Sequence, residues 1–210
     1  MINNNISFGK KIPLTTCHIQ DKKTGNFVPA TLYEYDCKDE EDILEIVFTG
    51  SQWYFANSII KNMGKKFELN KLFKDNPLLK KTKFRKDPKL KNDYKKRFFA
   101  MQLEDGKTIG ICQAQNKYDS LNLDYLESQN SSHKFVGSSM IASLGKQTLK
   151  EGNNSITIDY VTTEAEDFYK EKCGFKQFSN NSFKLDKRHI KKLIRNIQRD
   201  TKSSIIDLQV

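Results

Sequence analysis

No stretch of these 210 residues is apolar over the roughly 20 positions a bilayer-spanning helix requires. The opening MINNNISFGKK has no hydrophobic centre of the kind found in a secretory leader. Together these lead to the expectation of a cytoplasmic protein with no membrane association. Cysteine is scarce: Cys17, Cys37, Cys112 and Cys173 lie far apart, and no Cys-x-x-Cys pair occurs. Reduced, mostly buried thiols are expected. The histidines His18, His133 and His189 form no ligand motif with them, so no metal site is expected. No internal repeat is present, which excludes a solenoid.

Negative charge is in the minority, with 26 Asp and Glu against 36 Lys and Arg, a net charge of +10. Such a surface attracts anionic ligands, whether a nucleotide cofactor, a nucleic acid or an acidic protein. Lysine, asparagine and isoleucine are abundant together, as in chains from AT-rich genomes, so part of the charge reflects composition rather than a partner. Hydrophobic residues make up 37% and aromatics 11%, enough to bury one ordinary core.

Leu14 to Gln20 and Phe27 to Asp36 flank the turn-rich DKKTGN and predict a hairpin. From Asp39 the period changes. Ile43 and Val47, like Leu44 and Phe48, are four apart behind a run of acids, which predicts a helix. A second helical stripe follows through Trp53, Ala56, Ile59, Ile60 and Met63, with a stop at Gly64. Phe67 to Arg97 is the most basic region. Pro77 and Pro88 are expected to break it into loop and short helix, and Phe73, Phe84 and Tyr94 either anchor it or stack nucleic-acid bases.

FFAMQL, TIGICQAQ and SLNLDYLE then read as three strands of an antiparallel meander, the first pair joined at Asp105-Gly106. Met140, Ile141, Leu144 and Leu149 mark an amphipathic helix that ends at Gly152. SITIDY is a strand with Ile156, Ile158 and Tyr160 on one face. Ala165, Phe168 and Tyr169 form a helical stripe, and FKQF and SFKL are closing strands. In the tail, Ile190, Leu193, Ile194 and Ile197 predict a helix with a basic outer face, docked on the domain or holding a partner.

The chemistry concentrates between Glu127 and Met140, where the chain leaves a strand through a polar loop and enters a helix. The free amides and positive dipole end around Gly137 form an anion site, and glycine lets a phosphate approach the backbone. Lys134 and Lys146 are placed to add charge. A nucleoside-triphosphate loop is excluded, because seven residues separate Gly137 from Gly145 where that loop has four. A dinucleotide fingerprint is excluded by the single glycine at the turn.

The string Lys134-Phe135-Val136-Gly137-Ser138-Ser139, followed by a strand, then Ala165, Phe168, Tyr169, Gly174 and Phe175, resembles the GNAT-type N-acetyltransferases. It resembles their Arg/Gln-x-x-Gly-x-Gly/Ala phosphate loop and their later Ala-x-x-aromatic-Tyr and Gly-Phe. Lys134 stands for the usual Arg or Gln, Ser139 for the second small residue, and Thr162 for a frequent asparagine. The Tyr169 to Gly174 interval is one residue longer than usual. The resemblance covers about Phe27 to Leu185. It implies an α/β (α+β) fold with a mixed, mostly antiparallel sheet flanked by helices and splayed central strands. Residues 1–26 would be an N-terminal hairpin extension, 27–186 the acetyltransferase domain and 187–210 a basic helix and tail.

The same resemblance implies acetyl-CoA as donor, with pyrophosphate on the amides of Val136, Gly137, Ser138, Ser139 and Met140 near Lys134 and Phe135. Pantetheine would lie along Leu126, Glu127 and Ser128. The acetyl group would pass to a primary amine by direct attack in a ternary complex. Glu127, or Asp124 through a water, is the base that takes the amine's proton, and Tyr169 is the acid that protonates the leaving thiolate. Other readings stand beside these: Glu127 as a solvated strand end, Tyr169 as a core residue, His133 as a solvated residue at the loop mouth, and Cys173 as packing. A non-catalytic CoA-binding module or a basic nucleic-acid-associated protein would use the same surfaces. The sequence leaves the acceptor and the oligomeric state open.

Overall fold

The computed structural model describes residues 11–38, 41, 43–45, 56–74, 76–129 and 132–207. Strands β1 (Ile12–Asp21), β2 (Phe27–Tyr35), β3 (Lys96–Leu103), β4 (Thr108–Lys117) and β5 (Ser120–Ser128) form the antiparallel part of one sheet. Then β7 (Ser155–Ile158) pairs parallel to β5, and β9 (Ser182–Asp186) and β8 (Lys176–Ser179) close that side. Two short strands, β6 (His133–Lys134) and β10 (Ile206–Asp207), pair with β1. The order is β10-β1-β2-β3-β4-β5-β7-β9-β8. This is the mixed, mostly antiparallel, helix-flanked sheet expected from the sequence.

Both faces of the sheet are covered, which is why β3 reads as an unbroken apolar run, FFAM, rather than alternating with polar residues. Phe99 and Met101 pack beneath α4 (Val136–Lys150) and α6 (Lys187–Asp200), while Phe98 and Ala100 pack against α1 (Ala56–Lys74) with Ile59 and Met63. Ile190, Leu193 and Ile197 of α6 are buried, so the tail helix docks on the domain. Each such side chain contributes about 1.5–3 kcal/mol. Asp186 caps α6 by accepting from the His189 amide at 2.9 Å.

Several expectations change. α1 continues through Gly64 to Lys74. A lone glycine costs a helix about 1 kcal/mol, less than the burial of Met63, Leu69 and Phe73 on either side of it supplies. Pro77 and Pro88 do break the region, but into consecutive helices rather than a loop and one short helix. They open α2 (Pro77–Lys86) and α3 (Pro88–Tyr94), where a missing amide hydrogen costs nothing. Phe73 packs edge-on against Phe84 and Tyr94, which are tilted against each other, all with ring centroids 5.3–6.1 Å apart. They therefore hold α1–α3 together rather than standing free for bases. Tyr160 lies beyond the end of β7 and is exposed. Of the helix expected from Asp39 to Phe48, Glu41 and Ile43–Glu45 are helical, and the rest, with Trp53, lies outside the described residues. Among the described residues no helix is long and apolar enough to cross a membrane.

Candidate active site

The sheet opens at its centre. β5 and β7 pair from Ser120↔Ser155 to Leu123↔Ile158 and then part. From Asp124 onward the edge of β5 that faced β7 has no strand partner among the described residues, leaving backbone donors and acceptors directed into the gap. The gap is a small cavity of about 90 Å³ lined by Leu123–Leu126, Ile158, Tyr160–Thr162, Ala165 and Tyr169.

A bulge sets which residues face which side. The β4–β5 register shifts between Gln113 and Ala114, which oppose Tyr125 and Leu123, so Asp124 is the extra residue. Strict alternation would put Leu123, Tyr125 and Glu127 on one face. Instead Leu123 belongs to the core under α4, while Tyr125 packs on the α1 side. Glu127 lies opposite Ile111, itself part of the α1-side cluster, and opposed residues share a face. Glu127 and Tyr125 thus look to the α1 side, and Leu126 and Ser128 to the α4 side.

On the α4 side the expected anion site is a cavity of about 360 Å³ lined by Lys22, His133, Lys134, Phe135, Val136, Gly137, Ser138, Phe168 and Lys172. The Ser139 amide already donates to the Phe135 carbonyl at 2.8 Å, so the free amides are those of Val136, Gly137 and Ser138. Ser139 and Met140 turn their side chains into the core. Phe135 caps the helix at φ 69°, a left-handed conformation that costs a non-glycine residue about 1–2 kcal/mol. The pairing of Lys134 with Gln20 and the Ser139 bond hold it there. Gly137 is required by its neighbours: a Cβ would lie 2.9 Å from Phe168 Cζ and 3.2 Å from Ser128 Oγ.

Charge reaches the cradle from three segments. Lys134 comes from β6, Lys22 from the β1–β2 turn, and Lys172 from the helix after β7. Lys134 and Lys172 make no ion pair among the described residues. Lys22 and Lys172 have no local sequence signal, because their approach depends on the β1–β6 pairing and on a helix entered after β7. Lys146 is elsewhere: its ammonium is bonded to the Ile205 carbonyl at 2.5 Å. His133 is buried at the β1–β6 pairing, its Nδ1 2.8 Å from Ser132 Oγ, rather than solvated.

Tyr169 stands at the inner end of the gap. The helix α5 (Thr163–Asp167) widens into a π turn over Phe168–Lys172, closed by the Cys173 amide on the Phe168 carbonyl at 3.1 Å. That turn absorbs the extra residue before Gly174 while the ring stays packed edge-on between Phe168 and Phe175, at 5.1 and 5.4 Å. Burial, reinforced by the neighbouring Cys112 and Cys173, pushes the Tyr169 phenol above the ordinary tyrosine range. It is therefore a protonated phenol at neutral pH. All four cysteines are buried free thiols. Among the described residues no group of three or more His, Cys, Asp and Glu is placed to hold a metal ion.

On the α1 side a second cavity, of about 670 Å³, meets the gap through Leu123, Asp124, Tyr125, Tyr160 and Thr162 and is also lined by Lys96, Gln113, Gln115, Asn122 and Asp159. The candidate cradle thus lies on the α4 side of the sheet and the larger cavity, which adjoins the gap, on the α1 side.

No protein-family profile matches the chain, and no curated protein matches it. The chain is similar to several solved structures. PaiA N-acetyltransferase from Thermoplasma acidophilum in complex with coenzyme A is 17% identical, with a TM-score of 0.42 over 74% of this chain and 96% of that one. AtaTR bound with AcCoA is 15% identical, with a TM-score of 0.41 over 52% of this chain and 80% of that one. An acetyltransferase from Bacillus subtilis in complex with CoA is 14% identical, with a TM-score of 0.36 over 44% and 77%.

Proposed function

We propose that the chain is an N-acetyltransferase that moves the acetyl group of acetyl-CoA to a primary amine in a ternary complex. One observation carries the reading. The free amides of Val136, Gly137 and Ser138, with Lys134 and Lys172, lie at one end of the gap between β5 and β7, and a protonated tyrosine lines that gap. The cradle suits a pyrophosphate. A chain of amides such as pantetheine suits the edge of β5 at Leu126–Ser128, which no strand covers among the described residues and where it would add as a strand. The acceptor then enters from the α1 side, through the larger cavity.

The amine nitrogen attacks the thioester carbonyl carbon, the carbon–sulfur bond breaks, and the products are an N-acetyl amide and the free CoA thiol. A backbone amide of β5 stabilises the charge that develops on the carbonyl oxygen. Glu127, on the α1 side with the acceptor, takes the proton the amine loses. Tyr169, on the α4 side, gives a proton to the departing sulfur, and burial keeps that proton in place until the thiolate forms. Acid and base thus act from opposite faces of the opening.

The test is release of free thiol from acetyl-CoA by the purified protein in the presence of a panel of primary amines. Amine-dependent release with matching N-acetyl product supports the reading. Acetyl-CoA binding with no release for any amine supports a non-catalytic CoA module instead.

A further inference from the structure

We infer that Asp124 is the residue that binds the acceptor's ammonium, and that the acceptor is a primary amine carried on a hydroxyl-rich body of the amino-sugar kind. This rests on the acetyltransferase reading above and adds the substrate class. The bulge lifts Asp124 out of strand alternation and turns its carboxylate onto the α1-side cavity. There it is held by neutral donors only. Gln113 Nε2 donates to Oδ2 at 2.8 Å, and Gln115 Nε2 and Asn122 Nδ2 donate to Oδ1 at 3.3 Å.

Those donors are themselves fixed. Asn62 of α1 donates to Gln113 Oε1 at 2.8 Å, and Thr157 of β7 donates to Asn122 Oδ1 at 2.9 Å. Gln113 and Asn122 are 1% and 2% exposed, so the carboxylate rests on a preorganised amide floor. A carboxylate has about four lone-pair sites, and these three bonds leave about one directed to the cavity.

In a chain with 36 Lys and Arg, no cation pairs with Asp124 among the described residues. Lys96, on the same cavity wall, is bound to Asp93 at 2.8 Å, and Lys117 to Asp159 at 2.6 Å. A carboxylate supplied with neutral donors and left without its counter-ion is arranged for a cation that arrives with the substrate. The rest of the lining is Leu123, Asp159, Thr162, the three carboxamides and the tyrosines Tyr125 and Tyr160. Gln113 and Asn122 are spent on Asp124, Asn62 and Thr157, which leaves Gln115, Thr162 and the two tyrosines to meet the substrate. The flat faces of the two rings suit a ring that carries hydroxyls better than a flexible alkyl chain. The cavity of about 670 Å³ has room for such a body.

The experiment compares glucosamine and hexylamine as acceptors for the wild type, Asp124→Asn and Asp124→Ser, with acetyl-CoA binding measured for each by calorimetry. Glucosamine is expected to be the better acceptor. Loss of a charge-assisted bond should raise its KM about tenfold to a hundredfold in both variants, with kcat changed less than threefold and the acetyl-CoA Kd within twofold. An unchanged KM in folded variants would overturn the role of Asp124, and a preference for hexylamine would overturn the substrate class. A wild type that binds no acetyl-CoA would overturn the acetyltransferase reading itself.

Discussion

Two glycines of α4 offer a matched pair of perturbations. A methyl at Gly137 would lie 2.9 Å from the Phe168 ring in the cradle, and one at Gly145 would lie 2.8 Å from Ile190 Cγ2 at the α6 interface. Carbon contacts settle at about 3.5–4.0 Å, so each neighbour has to retreat by about 0.6–1.2 Å. Overpacking of this size costs about 1–3 kcal/mol, and replacing a helical glycine by alanine returns up to about 1 kcal/mol. Gly137→Ala and Gly145→Ala should therefore both lose about 0–2 kcal/mol of stability, read as a Tm lower by about 2–4 °C per kcal/mol. Their ligand binding should differ. The displaced Phe168 intrudes on the anion cradle, so Gly137→Ala should weaken acetyl-CoA binding tenfold or more by calorimetric titration. Gly145→Ala, facing the other way, should stay within twofold of the wild type. Equal effects of the two variants on Kd, or a wild-type Kd in folded Gly137→Ala, would refute the placement of the cradle.

Tyr169→Phe should lower kcat about 100-fold or more, with acetyl-CoA Kd and Tm nearly unchanged, since only the proton donor is lost; an unchanged kcat would return Tyr169 to a packing role. Burial raises the Cys17 thiol to about 12 and pushes Cys112, Cys173 and Tyr169 up as well. The folded state then keeps protons that the unfolded chain releases above about pH 8.5 for thiols and about pH 10 for the phenol. The urea midpoint should accordingly fall as pH rises from 8.5 to 10.5, and a flat or rising profile would contradict this. Arg97 forks onto Glu34 and Glu151, all four contacts at 2.7 Å, tying β3 to β2 and to the end of α4. Arg97→Lys keeps the charge and loses the fork, so it should cost about 1–2 kcal/mol in denaturant unfolding, with acetyl-CoA Kd unchanged. Lys172→Ala should raise that Kd several-fold at low salt and less at high salt, as expected for a screened contact with a phosphate.

Local pattern revealed most of the architecture. Asp105-Gly106 marked the β3–β4 turn, the α4 stripe stood out at Met140, Ile141 and Leu144, and Ile190, Leu193 and Ile197 marked the docked face of α6. The helix start proposed as the cradle was legible because such a junction is a local feature, visible in Lys134 to Ser139. What sequence concealed were long-range effects. Pro77 and Pro88 have the same identity whether they break a helix or begin one, and the choice depended on Phe73, Phe84 and Tyr94 meeting in space. The β4–β5 bulge leaves no mark on SLNLDYLE, so the face taken by Glu127 was readable only from its partner Ile111. The same shift brings Asp124 onto Gln113, Gln115 and Asn122, a set that only sheet register could assemble. Lys22 joins the cradle through the β1–β6 pairing, between segments more than a hundred positions apart. The π turn at Phe168–Lys172 absorbs the one extra residue while Tyr169 still lines the gap.

The most direct measurement is calorimetric titration of acetyl-CoA into the wild-type protein, repeated at two salt concentrations. The account predicts saturable one-to-one binding that weakens as salt rises and is competed by free CoA. A folded protein that shows no saturable binding at either salt concentration would contradict the claim that the opening between β5 and β7 is an acetyl-CoA site.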